Sequence, residues 1–176
     1  LVLPISVLTY WLIRGLSAGN SVRAVFGGVV GSLSVSLLAA LFSVVVSTPI
    51  IIMVSQYRSK FGNILERIML ALYGLPHISV GVAILFITIK IFPAIYQSFT
   101  ALIISYLIVF LPQAIGAGQA SMEQVKSSYL DASAGLGLSK LKSFYRITLP
   151  LIYRGLFAGG SLVFLSTMKE LPQTLL

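Results

Sequence analysis

Residues 24–57 run for 34 positions without an Asp, Glu, Lys or Arg. A helix needs about 20 apolar residues to cross a hydrocarbon core of about 30 Å. The pattern recurs: residues 68–89 give 22 uncharged positions, 91–122 give 32, and 155–168 give 14 before Lys169 and Glu170 interrupt. Residues 1–13 form a shorter stretch, read as part of a span. The chain therefore reads as an all-α membrane protein with about five transmembrane helices. Composition agrees. Hydrophobic residues make up 57% and charged residues 9% of the chain, whereas a soluble domain carries about 25% charged residues to hydrate its surface. The chain opens on Leu1-Val2-Leu3-Pro4 and stops within an apolar run at Leu175-Leu176. We read 1–176 as a single transmembrane domain cut from a longer polypeptide.

The charges lie between the apolar runs, and they alternate. One set of connections holds Arg58, Lys60, Arg67, Lys126, Lys140, Lys142, Arg146 and Arg154; the other holds Arg14, Arg23 and Lys90. The positive-inside rule puts 55–67 and 119–154 in the cytoplasm. The first span then runs outward, and an odd number of spans leaves the C-terminal end outside. The net charge of +8 fits loops on an anionic leaflet better than nucleic acid. No signal-peptide pattern opens the chain. Absence of Cys excludes disulfides, cysteine-bound metal centres and thiol nucleophiles.

Small residues recur four apart within the spans: Gly27 and Gly31, continued by Ser32, Ser36 and Ala40; Ala114 and Gly118; Gly155 and Gly159. Such rows let helix backbones approach where packing drives association. Pro49, Pro76 and Pro112 are expected to kink or end helices. Tyr10, Trp11 and Tyr96 suit the outer membrane interface.

Residues 119–154 are too many for a simple turn. Val125, Tyr129 and Ala132 share one helical face, as do Leu138, Leu141, Tyr145 and Leu149 further on. Gly135 and Gly137 permit a tight turn between them, and Pro150 suits the first turn of the next helix. The pattern predicts two short amphipathic helices outside the membrane. They would lie on lipid or dock into a partner's groove.

The stretch Asp131-Ala132-Ser133-Ala134-Gly135-Leu136-Gly137, nine residues, then Ile147-Thr148-Leu149-Pro150, resembles the cytoplasmic signature of permease subunits of binding-protein-dependent type I ABC importers. That signature reads Glu-Ala-Ala, three residues, Gly, nine residues, Ile-x-Leu-Pro. Asp131 replaces the Glu, and Ser133 replaces the second Ala. The resemblance implies that Asp131, Ala132, Ser133, Ala134, Gly135, Gly137, Ile147, Leu149 and Pro150 form coupling helices seated in a cleft of an ATPase subunit. It implies an alternating-access permease of the bacterial inner membrane, with an ABC ATPase dimer, an extracytoplasmic binding protein and a second permease half or subunit as partners. ATP and Mg²⁺ would be held by the ATPase, and no cofactor by this chain.

The run from Met168-Lys169-Glu170-Leu171-Pro172 to Thr174-Leu175-Leu176 resembles ferric-iron permeases, which are usually long chains with two homologous halves. This chain would be most of the second half. Tyr73-Gly74-Leu75-Pro76 also fits, although His77 stands where Gly is common. The resemblance implies ferric iron as substrate. Thiamine permeases, which share much of the pattern, supply the alternative of thiamine or another small solute.

Lys169 and Glu170 fall about 22 Å along the last span if it starts near residue 155. Ionisable groups within spans are costly and face polar paths or one another. Either residue could line the translocation pathway or form a structural pair, with different partners because adjacent helical residues diverge. His77, the only His, is a poor metal site without nearby carboxylates, so it packs or lines the pathway. Glu66 and Arg67 suit a solvated edge. The Gly135–Lys140 stretch lacks phosphate-loop spacing, and no catalytic set is present. A non-transport membrane enzyme or assembly factor with lipid-binding helices would need such a set.

Overall fold

Where the sequence runs apolar without interruption, the chain is helical, and prolines and glycines decide where the helices stop. The computed structural model describes residues 2–18, 22–56 and 60–170. Its helices are α1 (Val2–Ser17), α2 (Val22–Gln56), α3 (Lys60–Tyr73), α4 (His77–Lys90), α5 (Phe99–Met122), α6 (Ser127–Gly135), α7 (Lys140–Ser143) and α8 (Leu149–Met168). No strand occurs among the described residues. The end of the ferric-permease resemblance, 171–176, lies outside the described residues, as do the side chains of Arg23, Lys60 and Glu66 and the whole of Arg58.

Two units are distinguished, Leu1–Ser34 and Val35–Leu176. The first holds α1 and the beginning of α2. In α1 the Tyr10 and Trp11 rings meet edge to face at 5.8 Å, and Arg14 donates to the Tyr10 hydroxyl at 3.3 Å. A Cβ added at Gly27 or Gly31 would meet nothing within 4 Å, so within the described residues this pair seats no neighbouring helix.

The second unit contains the helix packing. Three helical stretches are long and apolar enough to cross a membrane: Phe26–Ser55, Phe99–Met122 and Lys140–Met168. The expected span 68–89 differs. It is a bent pair, Arg67–Tyr73 and His77–Lys90, meeting at 103°. Gly74, Leu75 and Pro76 separate the two arms. Pro76 lacks an N–H and disfavours helix at the residue before it, and its own ψ of 128° is extended. Counting that pair as one span gives four, and the 16-residue α1 is a shorter apolar helix.

The expected span 91–122 also starts later. Pro93–Ile95 form a single 3₁₀ turn, and Gln97 takes a left-handed φ of 53°. Ser98 then caps α5, its hydroxyl accepting from the Ala101 N–H at 3.3 Å. Pro49 and Pro112 remain inside α2 and α5. Just before Pro49, the hydroxyls of Ser47 and Thr48 donate to the Val44 carbonyl at 3.1 and 2.7 Å.

The most extensive packing is between α5 and α8, and small residues make it possible. A Cβ on Gly159 would come within 2.9 Å of the Ala114 carbonyl oxygen, and one on Gly155 within 2.8 Å of that of Ala117. One on Gly118 would collide with Ile51 of α2. The rows read from the sequence at Ala114/Gly118 and Gly155/Gly159 are thus the seam itself. Across it Ser166 donates to the Gln113 side-chain oxygen at 3.1 Å, a polar tie suited to an apolar surround. Apolar clusters flank the seam, one around Phe110 and Val163, the other around Ile51, Ile152 and Leu156.

Candidate functional site

The 119–154 segment folds into a compact turn between α5 and α8. Its first four residues still belong to α5, which reaches Met122. The first short helix is α6, and its C-terminus has the geometry of a Schellman motif. Leu138 N–H bonds the Ser133 carbonyl at 3.0 Å, and Gly137 N–H bonds that of Ala134 at 2.9 Å. Gly137 sits between these bonds at φ 75°, the left-handed conformation glycine adopts without a Cβ penalty. Gly135 is still helical. Ser139 starts the next helix, accepting weakly from the Lys142 N–H at 3.4 Å.

The second expected helix is present but not separate. Lys140–Met168 is one apolar helical stretch containing a π-turn over Phe144–Thr148, in which the Leu149 N–H bonds the carbonyl of Phe144. Pro150 supplies the physical reason. It has no N–H to give the Arg146 carbonyl, and in an ideal α-helix its ring would strike that oxygen. A widened turn just before it opens the helix there.

The signature positions fall into three groups. Asp131, Ala132, Ala134, Gly135, Gly137 and Pro150 are exposed, whereas Ile147 and Leu149 are half-buried. Ser133 is buried, and its hydroxyl meets that of Ser143 at 2.7 Å. The apolar faces read from the sequence are split: Val125 and Leu149 pack against the Ile51–Ile152 cluster and Leu138 is half-buried, while other apolar side chains face out. Leu136 is 82% exposed, Leu141 67%, Tyr145 60% and Tyr129 46%. With Asp131 and the exposed Lys126, Lys140, Lys142 and Arg146 they give the turn a surface of apolar side chains set among charges.

A second constellation lies along the spans. His77, the first residue of α4, stands beside Glu170, 93 residues later. Its Nδ1 is 3.0 Å from Glu170 Oε2. The carboxylate is 9% exposed and the imidazole 46%, so the pair is sealed on the glutamate side and open on the histidine side. The imidazole also meets the buried Phe110 ring edge to face at 5.3 Å. This corrects the expectation that His77 lacks a nearby carboxylate. The placement of Lys169 and Glu170 inside a span is corrected as well. α8 ends at Met168, Lys169 caps it and is exposed, and Glu170 has already left the helix. The two residues do face differently.

Sequence reasoning missed Ser143, Phe110 and the His77–Glu170 pairing. Ser143 lies in the nine residues that the signature leaves unspecified, and nothing local links positions 93 residues apart.

Comparison with known proteins adds a second line of support. A family model described as binding-protein-dependent transport system inner membrane component matches residues 47–175. The Fe(3+)-transport system permease protein FbpB 2 of Haemophilus influenzae is 31% identical over 175 residues, 98% of this chain and 35% of that protein. The spermidine/putrescine transport system permease protein PotB of Escherichia coli is 38% identical over 69 residues, 39% of this chain and 25% of that protein. A probable ABC transporter permease protein, y4oR, of Sinorhizobium fredii is 24% identical over 142 residues, 81% of this chain and 50% of that protein. The chain thus spans about a third of the ferric relative and at most half of these others.

Proposed function

The chain belongs to the inner membrane components of binding-protein-dependent transport systems, and from that premise we propose that it is part of the permease of an ATP-driven ferric-iron importer. It is a multi-pass protein of the bacterial inner membrane. Its work is movement of a solute, not catalysis, and ATP is hydrolysed by a separate ABC ATPase dimer that holds ATP and Mg²⁺. An extracytoplasmic binding protein delivers the substrate, and a second permease half or subunit completes the path.

The observation that carries this reading is the exposed apolar surface of the α6 turn with Asp131 upon it. A short helix with apolar knobs and one carboxylate suits the groove of a partner. Closure of two ATPase subunits would then pull on α5 and α8, between which the turn is strung, in a rigid-body transition. Asp131, Ala132, Ala134, Gly135 and Gly137 form the contact in this reading, and Ile147, Leu149 and Pro150 carry its motion into α8. His77 and Glu170 line the pathway, with Lys169 at its outer rim.

Ferric iron is favoured because similarity to the ferric permease extends over 98% of the chain. The PotB match favours a second reading, import of another small solute. The test uses the complete transporter in proteoliposomes. An Ala134→Cys variant should cross-link to the ATPase subunit, and ferric-loaded binding protein should stimulate ATP hydrolysis where the apo form does not. Stimulation only by a protein loaded with another solute would overturn iron. No cross-link in an intact complex would overturn the contact.

A further inference from the structure

The hydroxyls of Ser133 and Ser143 define a feature that the importer reading does not require. Ser133 Oγ is 2.7 Å from the Leu130 carbonyl oxygen, to which it donates, and 2.7 Å from Ser143 Oγ. A hydroxyl has one proton. With Ser133 donating to Leu130, the proton between the serines comes from Ser143. The relay therefore runs from Ser143 through Ser133 to the backbone of α6. Both side chains are buried, at 3% and 6% exposure.

Packing alone does not hold α6 in place. The two serines border a cavity of about 400 Å³, lined also by Ile52 of α2, by Asp131 of α6 and by Phe144 and Thr148 of the π-turn. The helix is joined to α5 through residues 123–126 and to α7 through the short Gly137 turn. A nine-residue helix hung between two short links, beside a cavity, can rock against the base of α8 unless something ties it there.

We propose that the Ser143–Ser133–Leu130 relay is a clasp that makes α6 and the base of α8 move as one body, with Ser143 as its positioning residue. This rests on the reading of α6 as the ATPase contact. A push on α6 then reaches the π-turn and the α5–α8 seam instead of being absorbed at Gly137.

The experiment uses the complete transporter reconstituted in lipid, with spin labels at Ala134 and at the exposed Phe157 of α8. Distances are measured at rest and after trapping with Mg-ATP and vanadate. Otherwise unaltered protein should give one narrow distance in both states. Ser143→Ala should add a second, displaced population, enlarged about two- to tenfold over the parent, the fold-change worth one net hydrogen bond. Ser143→Thr, which keeps the hydroxyl, should restore the single distance. Ferric iron moved per ATP hydrolysed should fall in Ser143→Ala. Ser133→Ala/Ser143→Ala should be no worse than either single change, as expected for partners in one interaction. An unchanged narrow distance in Ser143→Ala, or additive losses in the double variant, would overturn the clasp. Failure of the Ala134→Cys cross-link would instead remove the ATPase contact, and the distances would still decide whether α6 is clasped.

Discussion

At the scale of single residues, Gly137 shows how one dihedral angle fixes a turn. Its φ of 75° is reached by other residues at about 1–2 kcal/mol. Gly137→Ala should therefore loosen the Schellman turn by about that amount, read as faster hydrogen exchange at the Leu138 amide. Gly135→Ala, in open space at a helical position, should leave that exchange rate unchanged. From sequence the two glycines were equivalent candidates, because either spacing can end a helix. The choice is made by the hydrogen bonds to Ser133 and Ala134, which no residue type announces. His77 and Glu170 teach the same lesson at longer range. Each was recognisable as unusual within a span, but their meeting depends on the bend at Gly74–Pro76 bringing α4 back beside the end of α8.

Elements were legible where periodicity or small residues speak directly. The α5–α8 seam was written in Ala114, Gly118, Gly155 and Gly159. Gly159→Ala places a methyl 2.9 Å from a backbone oxygen, and relieving it requires the helices to part. Overpacking of this kind costs about 1–3 kcal/mol, which should lower the thermal midpoint of the complex in detergent. Gly31→Ala, with nothing within 4 Å, should not destabilise, and the helix preference for Ala over Gly favours it by up to about 1 kcal/mol. The same four-residue spacing thus marks a seam in one place and an open face in another, because spacing records what could pack and not what is opposite. The π-turn was equally hidden. Pro150 does stand in the first turn of α8, but the run before it is already helical. The widened turn is how the chain accommodates a proline inside a helix. An extra residue in a turn shifts the angular phase by about 100°, so faces assigned on one side of it do not continue on the other.

For the molecule as a whole, the all-α membrane class followed from uncharged length alone, and it is the firmest part of the sequence reading. Charge asymmetry then assigns sides, and labelling can check them. A cysteine at Lys142 should react with an impermeant thiol reagent only from the cytoplasmic face, and one at Gln97 only from the outer face; the reverse pattern would invert the topology. The bent pair α3–α4 was the largest departure, since hydropathy records length and not direction. It also affects hydration. Fourteen residues of α4 rise at most about 21 Å, less than the roughly 30 Å of hydrocarbon. The elbow beneath His77 therefore lies below the lipid headgroups. Backbone groups released there find no partner in acyl chains, so protein or water must reach them. Polar backbone thus sits at membrane depth at this elbow, held by protein or wetted by water.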